Sequence, residues 1–254
     1  MAQNKKQADM FGDKVRSSIE SLIPANIWGS DVPVDEKLVE KNFLELKQEI
    51  APYNVNIIAV TKYFGLNAMI AGYKVGIRDF AESRALEAIG KIQALPNEIR
   101  KNSKFHFIGH LQSNKVEKVV AHFDIIHSVD SVKIAKAISN TACSLDKREK
   151  ILLQINNSGE AQKFGFSKEQ LVSEMECLLN LEGIEILGLM NMAPLEATTE
   201  ELAQLFGDIR EFRNKLEREF KIELPELSMG MSNDYKIAVK EGATAIRIGR
   251  KLFK

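Results

Sequence analysis

Eight short apolar runs, with stretches of helical spacing between them, constrain this chain more than any other feature. They are 55–61 (VNIIAVT), 77–80 (IRDF), 105–108 (FHFI), 124–127 (DIIH), 150–155 (KILLQI), 184–190 (IEILGLM), 226–229 (ELSM) and 244–248 (TAIRI). Apolar strands alternating with helices call for a parallel sheet covered on its outer face. Eight of them predict an α/β fold, a single (β/α)8 TIM-type barrel, with an open doubly wound sheet as the rival. The intervening helices show their own signals. In 198–219, Leu202, Leu205, Phe206, Ile209, Phe212 and Leu216 recur at three and four residues, and Thr198 to Glu201 forms a capping box. Ser131 opens the helix predicted over 131–143.

A chain of 254 residues is long enough for one such barrel. The last run lies close to Lys254, which leaves no room for an eighth helix after it. The segment 35–51 precedes the first strand, offers Leu38, Phe43, Leu44 and Ile50 as a buried face, and is expected to fill the vacant place. Residues 1–34, with Pro24, Trp28 and Pro33, read as an extra N-terminal helical arm, and 35–254 as the barrel.

Composition matters for what it excludes. Lys+Arg and Asp+Glu are both 35, so no field of one sign points to nucleic acid or an anionic membrane. Cys143 and Cys177 have no metal-type spacing and predict a reduced, cytoplasmic setting. The first residues carry no secretory signal, and no run approaches the roughly 18 apolar residues of a membrane span.

In a parallel barrel the functional face lies at the strand C-termini. Lys62 stands there, directly after VNIIAVT. Two readings stay open for it. It is a rim lysine whose stem packs while its amine reaches water. Alternatively, the apolar wall of Ile58 and Val60 disfavours the ammonium and frees the amine for Schiff-base chemistry. After strand seven, Gly230 permits a tight turn, and Ser232 is either an N-cap or an anion contact ahead of a helix starting near Asn233. After strand eight, Gly249 lets the backbone approach a ligand, with the N–H groups of Gly249 and Arg250 facing it. Loops seven and eight are where barrels commonly hold phosphate. Arg247 interrupts an apolar strand and reads as a partner of Glu82 or as a donor to a ring nitrogen. His106 reads as packing, and His110 as a ligand contact or helix cap. No zinc-protease pattern, P-loop or G-x-G-x-x-G is present.

The motifs AVTK (59–62), FHFIGHLQSNK (105–115), HSVDS (127–131), LLQINNSGEAQKFGF (152–166), GLMNMAP (188–194) and LSMGMSNDYKIAVKEGATAIRIGRKLF (227–253) resemble those of the pyridoxal phosphate homeostasis proteins (the YggS/PROSC family). The likeness spans the chain from near residue 35 onward. It implies a single barrel similar to the N-terminal domain of alanine racemase. It also implies pyridoxal 5'-phosphate held covalently as a Schiff base on Lys62. Ser228, Ser232, Gly249 and Arg250 fall on the family's phosphate-binding loops, Arg247 falls beside the pyridine nitrogen, and Ser83 and Met231 complete the cofactor set. The family pattern after strand two is G-E-N, whereas this chain has Ala81-Glu82-Ser83. Its final residue is Lys254 instead of glycine, and its arm is longer than usual.

The resemblance further implies a monomeric carrier or regulator of the cofactor without substrate turnover, with pyridoxal phosphate-dependent apo-enzymes as recipients. The alternative is a monomeric racemase with His110, Tyr63 or Tyr235 opposite the lysine, since racemisation needs a second acid/base. A third reading drops the cofactor and makes Lys62 an aldolase-type lysine in another phosphate-binding barrel.

Overall fold

A computed structural model describes residues 34–156, 164–194 and 196–254 of the chain. Eight parallel strands close into a barrel in sequence order. They are β1 (Asn56–Val60), β2 (Asp79–Glu82), β3 (Lys104–Phe107), β4 (Ile125–Val129), β5 (Glu149–Ile155), β6 (Ile184–Asn191), β7 (Glu226–Met231) and β8 (Ala245–Ile248). β1 pairs with β8 from Asn56–Ala245 to Ala59–Ile248, which shuts the ring and excludes the open sheet. The arm expected over 1–34 lies outside the described residues, save for Val34.

The helices are α1 (Glu36–Glu49), α2 (Leu66–Lys74), α3 (Ala85–Ala94), α4 (Asn97–Lys101), α5 (Val116–His122), α6 (Val132–Ser144), α7 (Lys168–Leu179), α8 (Thr199–Phe220), α9 (Tyr235–Lys240) and α10 (Arg250–Phe253). α1 does take the vacant place: Asn42 Nδ2 donates to Leu252 O of α10 at 3.2 Å. Its buried face differs from the expected one. Val39, Phe43, Leu46 and Ile50 are buried, whereas Leu44 is 53% exposed. The buried set follows the 3.6-residue stripe, from which Leu44 lies one step off, and Asp35 Oδ1 caps the helix start at Lys37 N, 2.9 Å, and Leu38 N, 3.4 Å. Ser131 and the Thr198–Glu201 box cap α6 and α8 as read. Leu205 is half-buried, one step off the α8 stripe.

Strand β2 begins two residues later than its apolar run. Ile77 N–H donates to Gly72 O at 3.0 Å, so Ile77 closes the end of α2 instead of joining the sheet. This shift puts Glu82 inside the strand.

Alternation along the strands divides the side chains into two sets. One set, including Phe80, Ile126, Leu153, Leu189, Leu227 and Ile246, packs outward against the helices and forms the main core. Each fully buried apolar side chain of this kind contributes about 1.5–3 kcal/mol. The other set faces the barrel axis. Its apolar part is small: Ile58, Val60, Ala81 and Ala245, with Ile108 packed against them. By the same alternation the buried Leu152 and Met190 also face inward, and the remainder of the axis includes the buried polar residues His106, His127, Ser228 and Arg247. A barrel interior is ordinarily filled by branched aliphatic layers, so a polar axis marks a specialised interior.

Candidate functional site

Lys62 follows β1 by two residues. The ladder continues past the strand end, with Thr61 N–H donating to Ala81 O at 3.1 Å. Lys62 therefore keeps the inward parity of Ile58 and Val60. It is half-buried, and its Nζ lies 5.1 Å from the centroid of the Tyr63 ring. The turn that carries it is clamped from behind. Lys91 of α3, fully buried, donates to Thr61 O at 3.2 Å and Phe64 O at 2.7 Å. Its Nζ also lies 3.1 Å from Glu82 Oε1, which accepts from Thr61 Oγ1 at 2.7 Å. Burial pushes the Glu82 carboxyl above its ordinary value, against the pull of Lys91. Glu82 is thus the partner of Lys91 in the helix layer, not of Arg247.

Arg247 sits on the axis, 3% exposed. Its Nη1 donates to Ser228 O at 2.6 Å and Ser228 Oγ at 2.7 Å, and its Nη2 donates to Asn191 O at 2.8 Å. Burial pulls its pKa down to about 10, with Asp234 acting the other way, so it stays cationic at neutral pH. Ser228 departs from the reading that put it in a phosphate loop. Strand β7 runs on to Met231, which leaves Ser228 inside the strand, fully buried, with its hydroxyl engaged by Arg247 and His127. Met231 ends the strand half-buried, its N–H donating to Asp234 Oδ1 at 2.5 Å.

Ser232 begins the loop. α9 starts at Tyr235, so Ser232 is not its N-cap; its Oγ instead accepts Lys251 N–H at 3.4 Å and joins loop seven to α10. Gly230 has φ +93°, and a Cβ there would lie 2.6 Å from that of Ala238. Only glycine takes this bend without strain. At Gly249 an added Cβ would lie 3.3 Å from Val60 O, so a side chain there would crowd the end of β1. Phe253 of α10 meets Phe64 with ring centroids 4.9 Å apart. These contacts bring the Lys62 turn, Gly249, exposed Arg250 and the Ser232 loop to one side of the barrel mouth. Ser83, half-buried, follows β2 next to them.

Of the three residues named as opposing bases, Tyr63 is exposed beside Lys62, and Tyr235 and His110 are otherwise employed. Tyr235 OH donates to Glu49, and burial with that carboxylate raises its pKa far above the phenol range. His110 Nδ1 is 3.1 Å from Asp130 Oδ2, and its ring stacks on Phe164 at 3.6 Å. It therefore caps no helix. His106 is not packing alone: it bonds Asp79 and His127. Lys91 and His127 escaped the sequence reading. The signal for His127 was available, since histidines at equivalent parity in FHF and IIH face each other across β3 and β4.

Residues 34–254 match the family described as alanine racemase, N-terminal domain. A pyridoxal phosphate homeostasis protein of Synechocystis sp. is 42% identical over 202 residues, covering 80% of this chain and 92% of the relative. The chain belongs to the pyridoxal phosphate homeostasis protein family. A further member, from Aquifex aeolicus, is 37% identical over 181 residues, covering 71% of this chain and 78% of its own. The structure of PipY from Synechococcus elongatus, with pyridoxal phosphate bound, shares 38% identity at a TM-score of 0.77, covering 85% of this chain and all of that one. Alanine racemase of Clostridium difficile, 18% identical at a TM-score of 0.68, covers 86% of this chain and 57% of its own and shares the fold alone. Among the described residues no helix is long and apolar enough to cross a membrane, and no cluster of metal-ligating side chains occurs.

Proposed function

We propose that this chain binds pyridoxal 5'-phosphate covalently on Lys62 at the barrel mouth and serves cofactor homeostasis as a carrier without substrate turnover. The observation that carries this reading is the shared mouth: an inward-parity lysine just past β1, beside the Gly249–Arg250 loop that follows its neighbour β8 and the Ser232 loop that follows β7, the next strand round. The donor set fits the group. A primary amine suits an aldehyde, a loop hydroxyl with an exposed arginine suits a phosphate, and a buried guanidinium suits an unprotonated ring nitrogen. When bound, pyridoxal phosphate supplies an aldehyde that condenses with an amine, losing one water, and a ring that withdraws electrons.

Each protein group has a separable task. Lys91 and Glu82 fix the turn that presents Lys62. Gly249 keeps the space at the end of β1 clear. Ser232 and Arg250 offer contacts to the phosphate, with Met231 and Ser83 flanking. Arg247, permanently cationic, leaves a facing nitrogen only the role of acceptor, which weakens the ring as an electron sink. The engagement of Tyr235 and His110 elsewhere supports a holding role over racemisation.

The test is reduction of the purified protein with borohydride followed by peptide mass mapping. A pyridoxyl adduct on Lys62, absent from Lys62→Ala, is expected; an unmodified Lys62 peptide would overturn the covalent reading. Exchange of an amino acid α-proton into deuterated water, lost in Lys62→Ala, would overturn the absence of turnover.

A further inference from the structure

The barrel axis holds a row of polar groups that runs from its far end up to Arg247, and the function proposed above uses only the last of them. Asp79 opens the row at the N-terminal end of β2, beside a cavity of about 410 Å³ lined in part by Phe43, Lys47, Tyr53 and Asn56. Asp79 Oδ1 is 2.9 Å from His106 Nε2, and His106 Nδ1 is 2.8 Å from His127 Nε2. His127 Nδ1 is 2.9 Å from Ser228 Oγ, which accepts from Arg247 at 2.7 Å. Both histidines are 2% exposed.

Such a row has two self-consistent directions. Asp79 as a carboxylate only accepts, so His106 carries a proton on Nε2. With His106 neutral, its Nδ1 accepts from His127 Nε2–H, and His127 Nδ1 accepts from the Ser228 hydroxyl. With one more proton, His106 donates from Nδ1 as well. His127 must then accept at Nε2, carry its own proton on Nδ1 and donate to Ser228 Oγ. The two forms differ by one proton, and in the second the serine oxygen accepts from His127 and Arg247 together.

We propose that Asp79, His106 and His127 are positioning residues for Arg247, acting through Ser228. A single proton gained at His106 reverses the row and loosens the hold of Ser228 on the guanidinium. The consequence for a bound cofactor rests on the function proposed above; the reversal itself does not.

The surroundings keep His127 neutral and Asp79 anionic. Burial, then the charges of His106 and Arg247, hold His127 far below the usual imidazole range, so it stays neutral in both forms. Burial pushes Asp79 upward, yet the hydrogen bond and charge of His106 and a bond from Asn56 leave it below its ordinary value. Asp79 is therefore the anion that accompanies a charged His106. Other charged groups stand at the two ends. Lys104 adjoins Asp79 in register, and Lys150 and Glu185 pair on β5 and β6. Glu226 of β7 is bound by Thr244, and Asp234 acts on Arg247.

The test begins with cofactor-free protein labelled with 15N at histidine. NMR between about pH 5 and pH 8 reports which ring nitrogen carries each proton. In the wild type, His127 is expected to move from Nε2–H at high pH to Nδ1–H at low pH. Asp79→Asn keeps an acceptor but removes the accompanying charge, and is expected to hold both histidines in the high-pH pattern. His106→Gln is a second cut, with no proton to gain, and is expected to keep His127 in one form. In the loaded wild type, retention of pyridoxal phosphate is expected to weaken about tenfold on the acid side and to stay level in Asp79→Asn. A His127 tautomer unchanged with pH in the wild type, or an Asp79→Asn protein that titrates like it, would overturn the proposal. A protein that holds no pyridoxal phosphate at any pH would sink the function proposed above, while the NMR still decides the row.

Discussion

Lys62 and Lys91 flank one turn from opposite sides, and their environments differ in every respect that governs lysine chemistry. Lys91 has no exposed surface and lies within reach of two carbonyl oxygens and the Glu82 carboxylate. Its charge is matched by fixed acceptors, which leaves no lone pair to offer. Lys62 is half-buried, with the Tyr63 ring beneath its ammonium. A buried, fully bonded cation holds structure in place; an ammonium with one open side can give up its proton to solvent and present a free amine. The same residue type, 29 positions apart, is a strut in one place and, in the function proposed, a handle in the other.

Two substitutions test that contrast, and a third extends it to another buried carboxylate. Lys91→Met should be the most damaging, because it strands the Glu82 carboxylate in the helix layer. Breaking a buried pair costs about 3–5 kcal/mol, read as a fall in the urea midpoint. A loss under about 1 kcal/mol would mean that Lys91 is no strut.

Glu149 provides a second buried carboxylate, at the opposite end of the barrel, held by the half-exposed Lys147 at 2.6 Å. Burial raises its pKa from 4.5 to about 7, with Lys147 pulling the other way. The folded value lies above the unfolded one, so the folded chain keeps a proton that the unfolded chain releases. Stability is full below pH 4.5 and falls as pH rises through 7, by on the order of 3 kcal/mol. Glu149→Gln should flatten that slope in denaturant titrations across the window; a parallel slope in both proteins would show that Glu149 is not its source.

Lys62→Ala should have the smallest effect on folding, within about 0.5 kcal/mol, because the side chain closes no buried pair. A drop comparable to that of Lys91→Met would erase the distinction between the two lysines.

The legible part of this molecule follows from periodicity. Strand and helix rhythms were enough to count eight units, and the S/T-x-x-E box marked the start of α8 to the residue. Boundaries were weaker where an apolar residue served a neighbouring element, as Ile77 does at the end of α2. In the site, Lys62, Gly249 and Arg247 were visible as anomalies, a charge or a glycine at the edge or inside of an apolar strand. Lys91 was not, because a lysine in the middle of an amphipathic helix has the pattern of a solvent-exposed one. Its burial comes from the close approach of α3 to the Lys62 turn, between residues 27 and 30 positions apart. The buried row from Asp79 to Arg247 draws on β2, β3, β4, β7 and β8, and its His127–Ser228 bond spans 101 residues.

By itself, the sequence determined the parallel barrel and the end of it that would carry chemistry. Both follow from local rules: strand length, the two-residue alternation and the loops that alternate with it. Which polar groups meet was decided by barrel closure, since register between strands far apart in the chain depends on how the whole ring packs. That long-range register turned two scattered histidines, a serine and an arginine into one continuous hydrogen-bonded axis.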